Sequence, residues 1–168
     1  MTSQIIYIMG VSGSGKTTIG KLLSQKTSIP FFDADEFHSA SNKEKMSAHQ
    51  PLTDEDRSQW LINLNKLAQE QQDKQGAIIA CSALKEKYRK VLSGEINVPL
   101  AWVFLKGDYN TILERMKERK DHFMPPAMLD SQFDALEIPS NAIIIDINEK
   151  PEKIITLILS KPELAKNI

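Results

Sequence analysis

Apolar residues gather along the chain in five short runs, at 5–9, 29–32, 77–81, 100–105 and 142–147, and the stretches between them space apolar residues three and four apart. Runs of this length, bounded by Gly, Pro, Asp and Ser, read as buried parallel strands, and the spacing between them reads as amphipathic helices. The alternation predicts an α/β domain, a parallel sheet with helices on both faces. "PLTDEDRSQWLINLNKLAQ" opens a long helix, with Thr53 as N-cap, Asp56 three residues later, and Trp60, Leu61, Leu64, Leu67 and Ala68 as its apolar face. "KPEKIITLILSKPELAKNI" reads as a closing amphipathic helix with a polar tail. The intervals 35–52 and 119–128, the second broken by Pro125-Pro126, fit neither pattern. Ligands of parallel sheets gather beyond the carboxyl ends of the strands, so these intervals are expected to form a substrate-binding segment and a lid.

The first run, Ile5 to Met9, is followed by Gly10, Gly13, Gly15, Lys16 and Thr17 in the pattern GxxxxGKT, and Thr18 to Ser24 carries the apolar spacing of a helix. Each part answers a property of a triphosphate. Glycines let backbone N–H groups converge on phosphate oxygens, and the helix N-terminus adds unsatisfied donors and its dipole. Lys16 supplies a point charge for the β and γ phosphates, and Thr17 a hydroxyl for Mg²⁺. A glycine turn that binds nothing would not need the strand, loop, Lys-Thr pair and helix in this order.

At 168 residues the chain can bury one sizeable core, so the elements are assigned to a single domain, 1–168. A net charge of -1 and a pI near 6.3 give no global basic field, which leaves nucleic-acid binding unsupported. The lone cysteine, Cys81, excludes an internal disulfide, suggests a reducing compartment, and is expected buried at the end of its run. No apolar run approaches membrane-spanning length and no signal-like segment opens the chain, so a cytoplasmic protein with no membrane partner is expected.

Candidate chemistry beyond the loop sits at the ends of the other runs. "FFDADEFH" places Asp33 and Asp35 at alternate positions after the second run, one able to face Mg²⁺ and the other a hydroxyl, or both able to cap the next helix. Arg57 lies in the first turn of the long helix, against the dipole, which favours a ligand or an ion pair with adjacent acids. In "CSALKEKYRKVL", Lys85 and Arg89 are four apart, either a receptor for a carboxylate or phosphate or a solvated basic face. Arg115 and Arg119 repeat that spacing ahead of Lys120, Asp121 and His122, which reads as a cationic lid over a moving phosphoryl group or as a surface helix paired with Glu114 and Glu118. Asp73 to Gly76 matches DxxG, but ahead of a strand rather than after one, and "NKEK" at 42–45 lacks the acid of a guanine-reading motif. A regulatory GTPase is therefore not supported.

GVSGSGKTT, DADEFHSASNKEKM, PLTDEDRSQWL, CSALKEKYR, LKGDY and RKDHFMPPAMLDSQFDALEIP, in this order and to about residue 150, resemble the successive signatures of the P-loop gluconokinases. The resemblance implies a P-loop NTPase fold like that of nucleoside monophosphate kinases and shikimate kinase, with a five-stranded parallel sheet flanked by helices and a lid. It implies ATP-dependent phosphorylation of D-gluconate at its 6-hydroxyl, with ATP and Mg²⁺ as cofactors and a homodimer as the assembly. Carried onto this chain, Gly10, Val11, Ser12, Gly13, Ser14, Gly15, Lys16, Thr17 and Thr18 would hold ATP together with Arg115, while Thr17 and Asp33 would hold the metal. Lys16, Asp35 and Arg119 would be catalytic, Asp35 orienting the attacking hydroxyl and taking its proton. Asp35, His38, Arg57, Lys85, Arg89 and His122 would address gluconate, with about 35–60 as the substrate-binding segment and about 119–128 as the lid. The chain departs from the family at Ser39 and Gln59, where prolines are common, at His49-Gln50, where a glycine often precedes the Pro-Leu pair, and at Asp121 in the lid. A kinase of shikimate or another carboxylated polyol is the nearest alternative, and a non-catalytic binding module would be expected to lack Lys16 or Asp35.

Overall fold

β1 (Ile5–Met9) runs through the middle of the sheet, hydrogen-bonded on one side to β3 (Ala77–Ala80) and on the other to β4 (Leu100–Lys106). β2 (Phe31–Asp33) and β5 (Ile143–Asp146) form the edges, giving five parallel strands in the order β2-β3-β1-β4-β5. This computed structural model describes residues 3–119 and 125–165. The helices are α1 (Lys16–Thr27), α2 (Ala40–Ser47), α3 (Asp54–Gln72), α4 (Glu86–Ser93), α5 (Tyr109–Glu118), α6 (Pro126–Ala135), α7 (Pro151–Leu159) and the single turn α8 (Pro162–Ala165), with a 3₁₀ turn at Ala34–Phe37.

The continuous apolar run of β1 has a reason in the packing, because both faces of the strand are covered. Ile6 and Ile8 join a core with Leu23 of α1, Ile112 of α5 and Ile155 and Ile158 of α7. Ile5, Tyr7 and Met9 face the other way, onto Trp60, Leu61 and Leu64 of α3 and Leu92 of α4. Tyr7 stacks on Trp102 with ring centroids 4.5 Å apart, and its hydroxyl donates to the Leu92 carbonyl at 3.0 Å. β5, at an edge, keeps strict alternation: Ile143 and Ile145 are buried and Ile144 is exposed.

The second run begins later than its apolar residues suggest. Pro30 has no N–H for the ladder, although its carbonyl accepts from Ile78 N at 2.8 Å, so the strand starts at Phe31 and carries Asp33 to its end. The closing helix is divided by Pro162, which cannot donate to the preceding turn, into α7 and α8. The start of α3 matches expectation in detail. Thr53 Oγ1 accepts from Asp56 N at 3.1 Å and Asp56 Oδ2 accepts from Thr53 N at 2.9 Å, a reciprocal cap worth about 1 kcal/mol. Leu67 is half-buried at the rim of the apolar face rather than within it. The DxxG match is explained by the turn into β3. Asp73 ends α3, and Gly76 has φ +83° with its Cα so close to Gln4 that a Cβ would lie 2.1 Å from the Gln4 carbonyl oxygen. Among the described residues no helix is long and apolar enough to cross a membrane. The carboxyl ends of β1, β2 and β3 all open toward one cleft.

Candidate active site

The cleft, about 850 Å³, is floored by the loop between β1 and α1 and walled by the segment after β2, α2, the start of α3 and α6. Its volume falls in the ordinary range for small-molecule sites. Gly10 (φ +147°), Gly13 (φ +80°) and Gly15 (φ +96°) give the loop its shape, and a Cβ on Gly10 would come within 2.8 Å of Ser14 Oγ and 2.9 Å of the Leu105 carbonyl. Gly15, the left-handed N-cap of α1, has no side chain to satisfy the first amides of the helix, and no acid lies in that first turn. Those donors and the positive end of the dipole are the chemistry that favours an anion.

Lys16 Nζ donates to the carbonyls of Gly10 and Val11, both at 3.0 Å, so the ammonium closes over the loop's own backbone. Burial lowers its pKa, and the carboxylates of Asp35 and Asp33 oppose that shift. Thr17 Oγ1 donates to Asp33 Oδ2 at 2.8 Å. Asp33 Oδ1 accepts from Asp35 N at 3.1 Å and caps the 3₁₀ turn. One oxygen of Asp33 therefore caps the turn, and the other stands beside the loop threonine. A hydroxyl and a carboxylate are oxygen donors suited to Mg²⁺, which takes one or two protein ligands and completes its shell with water and phosphate oxygens.

Asp35 is exposed on the 3₁₀ turn and lines the cleft. His38 ends that turn and is buried, stacked on Trp60 with centroids 4.1 Å apart, its Nδ1 3.3 Å from Asn42 Nδ2. Burial first, then the charges of Arg57 and Lys43, push its pKa down to about 4, so a neutral imidazole is presented. Asn42 also donates to the Asp56 carbonyl at 2.8 Å, and Trp60 Nε1 donates to the Ala34 carbonyl at 2.8 Å. These bonds fix the segment after β2 on the first turns of α3. Arg57 lines the cleft, donates to the Leu52 carbonyl and lies 5.6 Å over the Tyr88 ring, which accounts for a cation tolerated against the dipole. Lys43 lines the cleft as well and had no sequence signal beyond its place in the expected substrate segment.

At His49 the backbone takes φ +56°, the left-handed conformation that glycine favours, while Gln50 N closes α2 on the Lys45 carbonyl at 2.8 Å. Histidine therefore occupies a left-handed position in this chain. Ser39, in place of a proline, caps α2 by accepting from Asn42 N at 3.1 Å.

Lys85 and Arg89 do not share a helical face, which corrects the spacing argument. Lys85 stands outside α4 as its N-cap, 3.5 Å from Asp54 and 5.7 Å over Tyr88, and Asp54 also accepts from Lys87 and the Tyr88 hydroxyl. Those two hydrogen bonds hold the Asp54 carboxyl well below the usual range. Arg89 is 7% exposed and its Nη1 donates to the carbonyls of Ala83 at 2.8 Å and Leu84 at 3.2 Å. Neither residue lines the cleft. The turn they support puts Ala83 at φ +46° and delivers Ser82 to the cleft. The Glu of the LEIP stretch is part of the same support: Glu137 Oε2 accepts from Glu86 N at 2.7 Å, capping α4. Cys81, before this turn, is buried and its thiol is pushed up to about 12 by burial, as expected of a packing residue.

On the lid side, Arg119 ends α5 and lines the cleft, near enough to Lys16 that the two cations repel. Arg115 does not line it; its guanidinium donates to the Ile147 carbonyl just after β5. His122, with Lys120 and Asp121, lies outside the described residues. Sequence reasoning missed Gln132 of α6, which reaches the loop at Ser12 and lines the cleft with Met128 and Ser131. Its only signal was its place in the SQF stretch.

A family model described as shikimate kinase matches residues 12–161. A thermosensitive gluconokinase of Escherichia coli (strain K12) is 46% identical over 154 residues, 88% of this chain and 81% of that protein. A probable gluconokinase of Dictyostelium discoideum is 43% identical over 164 residues, 90% of this chain and 82% of its own. The crystal structure of a gluconokinase from Sinorhizobium meliloti 1021 superposes with a TM-score of 0.86 at 34% identity, covering 98% of this chain and 93% of that one.

Proposed function

We infer the chemistry of the cleft from the premise that this chain belongs to the gluconokinase family of P-loop kinases, within the broader shikimate kinase-like group. Its reaction is ATP-dependent phosphorylation of gluconate. The alternative acceptor, shikimate, is not favoured, because relatives matching most of the chain at 43–46% identity carry the gluconokinase name.

The observation that carries the residue assignments is that Lys16 and Thr17, at the start of α1, face Asp33 and Asp35, at the end of β2, across one cleft. ATP lies with its phosphates over the loop amides, where Lys16 exchanges the Gly10 and Val11 carbonyls for phosphate oxygens. Asp35 accepts the proton of the gluconate 6-hydroxyl as that oxygen bonds to the γ-phosphorus and the bond to ADP breaks. Arg119 closes from the lid side onto the negative charge spread over the moving group. Mg²⁺, held by Thr17 and Asp33, supplies neutralisation of the phosphate charge when bound. Neutral His38 exchanges hydrogen bonds with hydroxyls of the polyol, and Arg57 receives its carboxylate. We assign 1–168 to one kinase domain, with 35–60 as substrate segment and 119–128 as lid. A homodimer and a cytoplasmic site complete the reading; the family resemblance supports both, and the buried thiol of Cys81 suits the second.

The test is ADP release with ATP and Mg²⁺ in the presence of D-gluconate, shikimate, a nucleoside monophosphate panel or no acceptor. Turnover with gluconate alone, giving 6-phosphogluconate, is expected. Turnover with another acceptor would discard the substrate assignment and keep the kinase.

The two arginines are expected to separate in steady-state kinetics. Arg57→Ala should raise KM for gluconate about 10- to 100-fold with KM for ATP little changed, the loss of one charge-assisted contact. Arg89→Ala should instead lower the melting temperature, because two buried carbonyls lose their donor. Equal effects of both variants on gluconate KM, with no change in melting temperature, would contradict this division.

A further inference from the structure

Gln132 lies 120 residues from the phosphate loop in sequence and makes two hydrogen bonds to one residue of it. Its Oε1 accepts from Ser12 N at 2.7 Å, and its Nε2 donates to Ser12 Oγ at 3.0 Å. Ser12 is the third residue of GxxxxGKT, between Gly10 and Gly13, both at positive φ, and its N–H is taken up by Gln132, which fixes the backbone leading into the loop amides that follow. The helix bearing Gln132 is anchored beneath by Leu129, 1% exposed in the same core as Val11, and its Met128 and Ser131 line the cleft. α6 also begins within the interval assigned to the lid, at Pro126. One neutral amide therefore joins the lid-side helix to the loop without placing a charge beside the phosphates.

We propose that Gln132 is a positioning residue for phosphoryl transfer, acting through Ser12: it holds the third residue of the loop in its phosphate-binding conformation and couples α6 to the end of the nucleotide that is transferred. This rests on the reading of the cleft as the kinase site. A preformed loop loses less conformational freedom when the nucleotide arrives, and a loop residue fixed to α6 keeps the phosphoryl group aligned.

The experiment compares Gln132→Ala and Gln132→Glu, measuring kcat, both KM values, melting temperature, and nucleotide affinity without acceptor by displacement of a fluorescent ATP analogue. Gln132→Ala should lower kcat about tenfold or more with gluconate KM within about twofold of wild type. The nearly isosteric Gln132→Glu keeps an acceptor for Ser12 N but sets a negative charge beside the triphosphate, so it should weaken nucleotide affinity more than alanine does. A merely structural contact would rank them the other way. Wild-type kcat and nucleotide affinity in Gln132→Ala, or Gln132→Glu binding nucleotide as well as or better than Gln132→Ala, would overturn the proposal. So would a fall in melting temperature with kcat per folded molecule unchanged. Because nucleotide affinity is read without acceptor, a wild-type enzyme that ignores gluconate would remove the substrate assignment while leaving the Gln132 comparison intact.

Discussion

Lys16→Ala is expected to lower kcat/KM for gluconate phosphorylation about a thousandfold, roughly 4 kcal/mol of lost transition-state stabilisation. The ammonium is the cation most deeply committed to the loop, and its hydrogen bonds to Gly10 and Val11 hold it where the phosphates arrive. Without it, the phosphate charge is left to the loop amides, the bound metal and the more distant Arg119. Lys16→Arg should recover little, because a planar fork cannot occupy the position of a point charge between two carbonyls. Steady-state rates with a coupled ADP assay check the size. Melting temperature should stay near wild type, since the side chain contacts the loop rather than the core. Retention of more than about a tenth of wild-type kcat/KM would show that the loop amides alone carry the phosphate charge.

Asp35→Asn should reduce kcat by about 10²- to 10⁴-fold, the span of general-base effects, while ATP affinity changes little. The substitution keeps shape and hydrogen-bonding capacity and removes the site that receives the proton. Its backbone N–H, which anchors the turn on Asp33, is untouched. Asp33→Asn should behave differently, weakening the apparent affinity for Mg²⁺, because it lies against Thr17 and not over the acceptor side. Removing the carboxylate of Asp35 should also lower the proton affinity of Lys16, so the lysine's pKa falls further in Asp35→Asn, as the attraction that raises it is lost. Wild-type kcat in Asp35→Asn at neutral pH would remove Asp35 from proton transfer.

The elements whose evidence is local were legible from the chain. Five apolar runs, the glycine loop and the Thr53–Asp56 cap are each decided by residues within a few positions of one another, through strand burial, backbone freedom and reciprocal hydrogen bonding. The capping role of Asp33 was also readable, since it depends on Asp35 two positions away. Spacing failed where a helix boundary fell between two residues. Lys85 and Arg89 are four apart, yet α4 begins at Glu86, leaving one cation outside at Asp54 and the other buried on carbonyls.

What the sequence by itself determined, then, is the α/β class, the phosphate loop with its Lys-Thr pair, and the acids that follow the second strand, because short-range sterics and hydrogen bonding leave few other conformations for those residues. The tertiary structure alone decided which cations face the cleft. Arg57 and Lys43 face it because Asn42 ties α2, and Trp60 the 3₁₀ turn, to the start of α3, whereas Arg89 turns inward to satisfy the carbonyls of a left-handed turn. It alone brought Gln132 to Ser12, since a contact between residues 120 positions apart depends on how α6 packs over the sheet and leaves no periodicity in the chain to read.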